Sequence, residues 1–521
     1  MTTGKSKSVA KRAALLAIVA VAAVLLAVVG LERAHMPGSG SETEAAPEES
    51  IADYSILIIV IDALRADHLG CYGYARDTSP FIDSIASQGV VFEEAISCSS
   101  FTCESVSALF TGLLPSRSGT GVGWLAKPYP YSANLAELFA KGGYVTGFFT
   151  DSPALYDPMF DKGFHETDHL EKAWGKSGGG VKLTHRALDF AQKNRGKKTA
   201  MYLHYLDPHA PYEPSREAYL KFADTVYPEP LRLYDQVRPC IVELVQGGFG
   251  PGDPRFEDLV LRYDAEIAQN DEAIRLLFEG LNGIGVLDKT LVILTADHGQ
   301  EFLDHGYVEH AWRLYRESIH VPLVFWAPGI FKPEHIASPV SHIQLLPTLI
   351  EIAGVNHARR DLASPFFRWN GAQLGFVPPQ KPLIAELLLE TRSQLRTVMD
   401  GDHKYMAAQR WLTPAQCSES AKTQMKQLDA IKDGSAPRLD VWQEIVHEEI
   451  YEIANDPAET RNLLEETPPK LADLRAAFEE YKASCQGVRH IKPRAPVHVS
   501  PELQQQLDAL GYGDSSKKKV Q

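Results

Sequence analysis

The chain has 521 residues, enough for more than one domain, and its 44% hydrophobic and 23% charged residues are ordinary for a globular protein. Its formal net charge is −15, which argues against nucleic acid as a partner, because phosphate backbones are normally bound by a basic stripe. Six cysteines are scattered without a CxxC spacing, which excludes a zinc ribbon and a dense disulfide scaffold but leaves one or two disulfides open.

The N-terminal segment has the pattern of a membrane anchor. Basic residues cluster in residues 1–12, and residues 13–31 form an uncharged apolar run. At about 1.5 Å per helical residue, this run is long enough to cross the hydrocarbon core of a bilayer. We therefore expect a cytoplasmic basic segment, one membrane helix and an extracytoplasmic chain, with residues 32–50 as a flexible linker. A cleaved signal peptide followed by secretion is the alternative.

Three apolar runs each end in residue types that bind metals. The runs and their polar residues are "YSILIIVID" with Asp62, "KTAMYLHYLDPHAPY" with Asp207 and His209, and "KTLVILTADHG" with Asp297 and His298. Continuous apolar runs are typical of strands buried in a parallel sheet, and the carboxyl ends of such strands share one ligand-binding edge. A single Asp there would more often be a turn or cap residue, but three such ends together predict a metal centre.

Helical patterns lie between these runs, at residues 79–89, 132–143 and 262–281. Alternating strands and helices predict an α/β fold, with three α/β/α layers around a mostly parallel central sheet. Residues 394–408 alternate around a "DGDH" turn, which predicts a β-hairpin, and "EEIYEI" adds a further strand. We therefore expect a small C-terminal antiparallel sheet with a helix. The expected domain limits are 51–380 for the main domain, 381–512 for the C-terminal subdomain and 513–521 for a basic tail.

Several longer stretches resemble a known family. "IVIDALRADHLGCYGYARDTSPFIDSIASQGVVFEEAIS", "SALFTGLLPSRSG" and "TADHGQEFLDHGYVEHAWRLYRESIHVPLVFWAPG" are similar, in content and order, to motifs of the sulfatase branch of the alkaline phosphatase superfamily. The resemblance extends over residues 54–512. It implies an alkaline-phosphatase-like catalytic domain at 51–380 and an enzyme that acts on phosphoric or sulfuric esters. Substrate specificity is then expected in two irregular segments, 213–260 and 356–382.

The helix entrance "FTCESVSALFTG" departs from the pattern of that family. Sulfatases that use formylglycine carry C/S-x-P-S-R at this place, whereas Glu104 and Val106 occupy the Pro and Arg positions here, so no formylglycine is expected. The nucleophile position falls on Thr102, a hydroxyl that a metal and a helix N-terminus can activate. Without the resemblance, Thr102 would be an ordinary helix cap. For Cys103 we expect a partly buried thiol or half of a disulfide.

The resemblance also implies a metal sphere and its ligands. These are Asp62, Thr102, Asp297 and His298. Because an imidazole belongs to this set, zinc or manganese is expected as the divalent metal, with calcium as the alternative.

Three histidines are candidates for contact with the substrate. His209 matches a family histidine that contacts the substrate or, in some members, a second metal. His310 takes the place of the leaving-group residue, where it can donate a proton near neutral pH. His305 is a further substrate-binding candidate, although a solvated surface histidine is an equal alternative. Arg65 and Asp67 are expected to orient the loop after the first strand.

The sequence therefore predicts a membrane-tethered, metal-dependent hydrolase or transferase of phosphate or sulfate esters. Phosphodiester cleavage or transfer is preferred, because Thr102 replaces formylglycine. A sulfuric ester hydrolase is the alternative within this class, and a catalytically silent binding protein with the same fold is the alternative from another class. The expected partners are a small-molecule, lipid or glycan ester and the membrane, and the oligomeric state stays open.

Overall fold

The structure is a computed structural model that describes residues 51–120, 133–170, 179–223, 243–244, 248–369, 374–389, 393–411 and 443–485. The predicted basic segment, membrane helix and linker at 1–12, 13–31 and 32–50 lie outside these residues, as do Cys240, Cys417, parts of the two irregular segments and the chain from residue 486 onward. Within the residues described, no helix has both the length and the apolar character needed to cross a membrane.

Nineteen strands occur in these residues. They are β1 (Ser55–Ile61), β2 (Val90–Phe92), β3 (Ala95–Ile96), β4 (Val145–Thr150), β5 (Glu166–His169), β6 (Thr199–Tyr205), β7 (Thr290–Ala296), β8 (Glu301–Phe302), β9 (Val308–Glu309), β10 (His320–Val321), β11 (Leu323–Trp326), β12 (Glu334–Ile336), β13 (Val340–Ser341), β14 (Phe367–Trp369), β15 (Leu374–Phe376), β16 (Leu383–Leu389), β17 (Ser393–Asp400), β18 (His403–Trp411) and β19 (Gln443–Glu452).

The α-helices in the same residues vary from one turn to eight or more turns. They are α1 (Pro80–Ala86), α2 (Thr102–Thr111), α3 (Pro115–Ser118), α4 (Leu135–Lys141), α5 (Gly179–Lys193), α6 (Arg216–Tyr219), α7 (Pro254–Ile284), α8 (Arg316–Ile319), α9 (Leu345–Ile352) and α10 (Lys470–Ser484). Short 3-10 turns lie at Ile51–Asp53, Ala66–His68, Gly70–Tyr72, Pro153–Leu155, Leu287–Lys289, His342–Gln344 and Leu464–Glu466.

The central sheet has eight strands in the order β12-β2-β11-β7-β1-β6-β4-β5. β1 runs parallel to both β6 and β7, and β4 runs parallel to β5 and β6, whereas β11 is antiparallel to β7 and β2. Ile61, the last residue of β1, pairs with Tyr205 of β6 and with Ala296 of β7, so these three strands end at the same edge. The predicted mostly parallel sheet is confirmed.

Helices cover this sheet in two groups. α7 packs against α1, α5 and α6, whereas α2 packs against α4 and α9. The sheet strands between them are almost entirely buried, as in β6 and β7, where every residue is buried. This arrangement is the predicted three-layer α/β fold, whose core consists of the continuous apolar runs.

Helix α7 begins earlier than the sequence analysis predicted. It starts at Pro254, where the carboxylate of Asp253 accepts a hydrogen bond from the N–H of Arg255 at 2.9 Å. An Asp cap followed by proline at the first turn is a strong helix start. The irregular segment predicted at 213–260 therefore contains α6 and the first turns of α7.

The C-terminal sheet is antiparallel, with the order β16-β17-β18-β19, and α10 packs on β17 and β18. The hairpin predicted around "DGDH" is β17–β18. Glu386 of β16 joins this sheet to the helices beside the central sheet, because its carboxylate accepts hydrogen bonds from the N–H and hydroxyl of Ser116 and from Arg396. Arg396 is itself buried, so this ion pair is removed from solvent. Losing either partner would leave an unpaired buried charge and destabilise the fold.

Candidate active site

Two acidic side chains converge at the carboxyl end of the central sheet. Asp62 directly follows β1, Asp297 directly follows its parallel neighbour β7, and both are completely buried. The N–H of Ala63 donates to Oδ1 of Asp297 at 3.1 Å, which ties the loop after β1 to the loop after β7. The carboxylates from the ends of two separate apolar runs therefore lie in one site.

Within the described residues, each carboxylate has one oxygen that accepts hydrogen bonds and one that accepts none. Oδ2 of Asp62 accepts from the hydroxyl of Ser152 at 3.0 Å and from Nε2 of His204 at 3.1 Å, whereas Oδ1 of Asp297 accepts from two backbone amides. Oδ1 of Asp62 and Oδ2 of Asp297 are buried and have no hydrogen-bond partner within the described part of the chain. Because unpaired carboxylate oxygens are costly to bury, this donor set fits a divalent cation.

The electrostatics of the pair agree with a site for a cation. Burial raises the pKa of Asp297, and the charge of Asp62 raises it further. Burial also acts to raise the pKa of Asp62, but His209, His204 and His298 outweigh it and hold that pKa below its ordinary value. Two adjacent carboxylates that depend on neighbouring imidazoles form a centre that binding of a positive ion would stabilise.

His298 supplies a nitrogen atom to the carboxylate pair. Its Nε2 lies 3.6 Å from Oδ1 of Asp62 and 3.5 Å from Oδ2 of Asp297, which are the two oxygens without hydrogen bonds. Its Nδ1–H donates to the carbonyl of Gly299 at 2.8 Å. Because a carbonyl only accepts, the hydrogen lies on Nδ1, and Nε2 is the atom that would bind a metal.

The hydroxyl of Thr102 reaches the same cluster. Thr102 is the first residue of α2 and is fully buried, and its Oγ1 lies 3.1 Å from Nε2 of His298. Its place at the helix N-terminus adds the partial positive charge of the first-turn amides. The structure thus brings together the whole set predicted for the metal sphere, which is Asp62, Thr102, Asp297 and His298.

The next two residues of this helix, Cys103 and Glu104, form hydrogen bonds away from the carboxylate pair. The thiol of Cys103 donates to the carbonyl of Ala154 at 3.4 Å, and burial followed by the charge of Glu104 raises its pKa. A thiol with a raised pKa is a poor nucleophile. Glu104 accepts hydrogen bonds from the hydroxyl of Ser99 at 2.6 Å and from the N–H of Leu388 at 3.3 Å, which connects α2 to the C-terminal sheet.

His209 and His310 lie beside His298. The ring of His310 stacks on His298 with centroids 4.3 Å apart, and the ring of His209 meets His310 edge-on at 4.7 Å. The Nδ1–H of His209 donates to the carbonyl of Ala210 at 2.6 Å, and Nδ1 of His310 lies 2.9 Å from Oε1 of Gln300. Burial lowers the pKa of His310, and the two neighbouring histidines lower it further. His310 is therefore neutral at neutral pH in the absence of an anionic ligand.

His305 lies outside this cluster. Its Nδ1 is 2.7 Å from Oε1 of Glu317, its Nε2 is 3.1 Å from the carbonyl oxygen of Glu459, and its ring stacks on Tyr315 at 3.7 Å. Both ring nitrogens are thus engaged by the protein. The structure does not bring this candidate to the substrate histidines.

Arg65 lies in the loop after β1, where a structural role was predicted. Its guanidinium donates to both carboxylate oxygens of Asp67 and to both of Asp304. The two bidentate pairs fix the loop that follows Asp62 and leave the side chain engaged by carboxylates.

Two residues at the site were missed in the sequence. His204 lies inside β6, three residues before Asp207, and it forms with Asp62 and Asp297 a group whose ligand atoms all lie within 4.8 Å of one another. Asp207, predicted at the end of that run, is not part of this group of described residues. Ser152 follows β4, whose run "VTGFFT" ahead of "DSP" repeats the strand-then-polar pattern and was the signal that could have found it.

Comparisons with known proteins identify the family and the fold of the chain. A family model described as Sulfatase matches residues 55–355. The chain is 24% identical over 352 residues to an uncharacterized sulfatase, YidJ, of Escherichia coli (strain K12), an alignment that covers 58% of this chain and 68% of that protein. Across five curated relatives, YidJ included, the alignments span 58% to 69% of the relatives' own length.

Solved structures share the fold. A protein solved in complex with its substrate, D-glucosamine-2-N,6-O-disulfate, matches with a TM-score of 0.64 at 17% identity over 83% of this chain and 98% of that chain. A phosphonate monoester hydrolase of Agrobacterium radiobacter matches with a TM-score of 0.58 at 18% identity over 83% and 95%. At these identities the likeness shows the fold alone.

Proposed function

The chain belongs to the sulfatase family and is an ester hydrolase, and we propose that Thr102 is its nucleophile and that phosphodiesters are its preferred substrates. The observation that carries this proposal is the 3.1 Å distance between Oγ1 of Thr102 and Nε2 of His298 at the start of α2. An alcohol there can take a phosphoryl group and later yield it to water or to an acceptor alcohol.

The first step forms one bond and breaks one. The oxygen of Thr102 gives its proton to solvent water and bonds to the phosphorus, while the bond from phosphorus to the leaving oxygen breaks. A divalent cation bound at Asp62, Asp297 and His298 supplies positive charge that makes a hydroxyl nucleophilic near neutral pH. The first-turn amides of α2 stabilise negative charge on the attacked group. Water then cleaves the ester at Thr102 and restores the hydroxyl.

The leaving oxygen needs a proton, and we assign the role of proton donor to His310. Burial and the two neighbouring histidines lower the pKa of His310. The charge of an anionic ester acts against them, so that the imidazole takes a proton from solvent as the ester binds. His310 then donates this proton as the ester bond breaks. His209, whose ring contacts His310, is assigned to the substrate oxygens.

Zinc or manganese is the metal that we propose for this site. The unpaired oxygens of Asp62 and Asp297 suit several divalent cations, but the imidazole nitrogen of His298 beside them selects against calcium, which prefers oxygen ligands. His204 is a fifth donor candidate, or it holds Asp62 through the hydrogen bond to Oδ2.

The test is turnover of matched aryl esters by the full chain. 4-Nitrophenyl sulfate, 4-nitrophenyl phosphate, bis(4-nitrophenyl) phosphate and 4-nitrophenyl phenylphosphonate are assayed with zinc, manganese and calcium in turn. A kcat/KM for the diester at least roughly tenfold above that for the sulfate supports the proposal. Faster turnover of the sulfate overturns the diester preference, and absence of turnover of all four esters by metal-loaded protein overturns the proposed role of Thr102 in this reaction.

A sulfuric ester hydrolase is the second candidate. It is favoured by the family match over residues 55–355 and by relatives such as the ulvan-active sulfatase of Formosa agariphila, 25% identical over 333 residues. The same Thr102 would then carry a sulfo group. A glycan ester would be a possible substrate for either candidate activity.

We also propose that residues 13–31 attach the protein to the membrane, with the catalytic domain outside the cytoplasm.

A further inference from the structure

A loop beside His310 carries an exposed aromatic side chain. Trp312 is 49% exposed, whereas His310, two residues before it, is buried. Two residues of chain span at most about 7 Å, so the indole belongs to a segment that borders the histidine cluster. Among the described residues the only other exposed large hydrophobic side chains are those of Leu220 and Val446. A single exposed apolar residue is ordinary, but Trp312 belongs to a loop whose backbone is fixed by the rest of the protein.

The loop is fixed in an uncommon backbone conformation. Glu309 and Ala311 have φ values of 67° and 64°, in the left-handed region that residues with a side chain rarely adopt. The N–H of Ala311 donates to the carbonyl of Ser100 at 3.0 Å, which ties the loop to the segment that leads into α2. Strain of this kind persists where surrounding contacts impose it, and it concentrates at ligand sites. Trp312 is therefore presented from an anchored loop.

Arg313 adds a fixed positive charge directly after Trp312. Its guanidinium donates to the carbonyl of Trp312 at 2.8 Å and to the hydroxyl of Tyr307, and it lies 4.2 Å from the centre of the Tyr307 ring. Within the described residues this guanidinium forms no ion pair with a carboxylate, whereas the guanidinium of Arg65 pairs with Asp67 and Asp304. Arg313 thus combines a defined position with a positive charge that is not in direct contact with a carboxylate of the described residues, although it acts at longer range on Glu301.

We infer that residues 307–313 form a subsite for the leaving-group alcohol, in which the ring of a pyranose that carries a second anionic group packs on Trp312 and that anion pairs with Arg313. The inference rests on the proposed function, which puts His310 at the leaving-group oxygen. A rigid indole offers a large contact area to the C–H face of a sugar ring, and an arginine fork matches a carboxylate or sulfate. The acidic net charge of −15 favours such local recognition over a surface that attracts long polyanions.

The experiment measures sugar binding without turnover. Isothermal titration on the full chain carrying Thr102→Ala uses D-glucosamine-2-N,6-O-disulfate and N-acetyl-D-glucosamine-6-O-sulfate, which share the ring but differ in the second anion. Adding Trp312→Ala should raise the Kd of both sugars about tenfold, and Trp312→Phe should restore much of the affinity. Adding Arg313→Gln should raise the Kd of the disulfate about tenfold and leave the monosulfate nearly unchanged.

Matched controls separate the subsite from general effects on the fold. Val446→Ala removes a similarly exposed apolar side chain, and Arg195→Gln removes an exposed arginine that follows α5; neither should change either Kd. The inference is overturned if Trp312→Ala binds both sugars as well as its parent, if Arg313→Gln weakens neither, or if the parent binds neither sugar. If the proposed function is wrong, the unmutated chain turns over no ester although these sugar affinities persist, so the two failures are distinguishable.

Discussion

Oγ1 of Thr102 lies 3.1 Å from Nε2 of His298, although the two residues are 196 positions apart in the chain. The same nitrogen is 3.6 Å from Oδ1 of Asp62 and 3.5 Å from Oδ2 of Asp297. A hydroxyl at a helix N-terminus is therefore held against the donors of a candidate metal centre. This contact distinguishes Thr102 from Cys103, whose thiol is bonded to a carbonyl elsewhere.

Replacing Thr102 should abolish most of the catalysis without unfolding the protein. We expect Thr102→Ala to lower kcat by about a thousandfold or more, because covalent catalysis is lost and only electrostatic help remains. Thr102→Ser should keep measurable activity, since it retains the hydroxyl. Cys103→Ala, the matched control, should change kcat little. Steady-state kinetics on the best substrate, with circular dichroism to check folding, makes the comparison.

Mass spectrometry of the peptide with residues 101–112 checks the same assignment independently. Cys103 should be unmodified, and a trapped intermediate should place its added mass on Thr102. Formylglycine at position 103, or an inactive Cys103→Ala beside an active Thr102→Ala, would contradict the nucleophile proposed here.

Metal content should follow the residues of the carboxylate site. Protein purified without chelators should contain zinc or manganese by inductively coupled plasma mass spectrometry, because His298 brings an imidazole to the donor set. Asp297→Ala and His298→Ala should each reduce occupancy and activity together. Full occupancy by calcium that His298→Ala leaves unaltered would show that the imidazole is no ligand.

Ser152 should tune the affinity of the site for metal through Asp62. Its hydroxyl donates to Oδ2 of Asp62 at 3.0 Å, so Ser152→Ala removes a contact that orients a proposed ligand. Losses of this kind typically cost about 10- to 100-fold in metal affinity, and we expect the lower end because His204 still bonds to the same oxygen. Competition with a chromogenic chelator gives the Kd. Ser107→Ala is the control, because Ser107 is buried and its hydroxyl forms no hydrogen bond with Asp62 or Asp297. Equal Kd values in both variants would refute the role of Ser152.

His305 should make the stability of the fold depend on pH in the alkaline range. Burial lowers its pKa, but the hydrogen bond and charge of Glu317 outweigh that effect and raise the pKa to about 9. The folded state then holds this proton more tightly than the unfolded state, where the pKa is about 6.5. The stabilisation is therefore complete below about pH 6.5 and is lost as the pH rises through 9.

The measurement is the difference in melting temperature between the unmutated protein and His305→Gln. It should shrink steadily between about pH 6 and pH 10. His185→Gln is the matched control and should show no such trend, because it replaces an exposed histidine of α5 that has no carboxylate partner among the described residues. A difference that stays constant over this range would mean that the His305–Glu317 pair does not bind the proton as proposed.

Membrane attachment is predicted by residues 1–31 and can be tested on the intact chain. The protein should fractionate with membranes, and a reporter fused after residue 521 should be active outside the cytoplasm. Edman sequencing or terminal mass spectrometry gives the control. A mature protein that starts near residue 35 would establish a cleaved signal peptide.

The sequence was informative where a strand ends in a polar residue. Asp62 and Asp297 were predicted because each follows a continuous apolar run, and buried parallel strands must end at a common edge. His204 could not be read in this way, because it lies inside β6 and a histidine within an apolar run looks like a core residue. Nor could the position of His305 be predicted, since its contact with Glu459 joins positions 154 residues apart.

The pairing of β1 with β6 and β7 has a consequence for the order in which the protein is made. The hydrogen bond between Ala63 and Asp297 joins positions 234 residues apart, so a growing chain displays the apolar β1 long before β7 leaves the ribosome. Contacts of such separation form late and leave strand edges open to aggregation meanwhile. Substitutions that slow the docking of β7 should therefore reduce the yield of soluble chain, even when every residue of the site is unchanged.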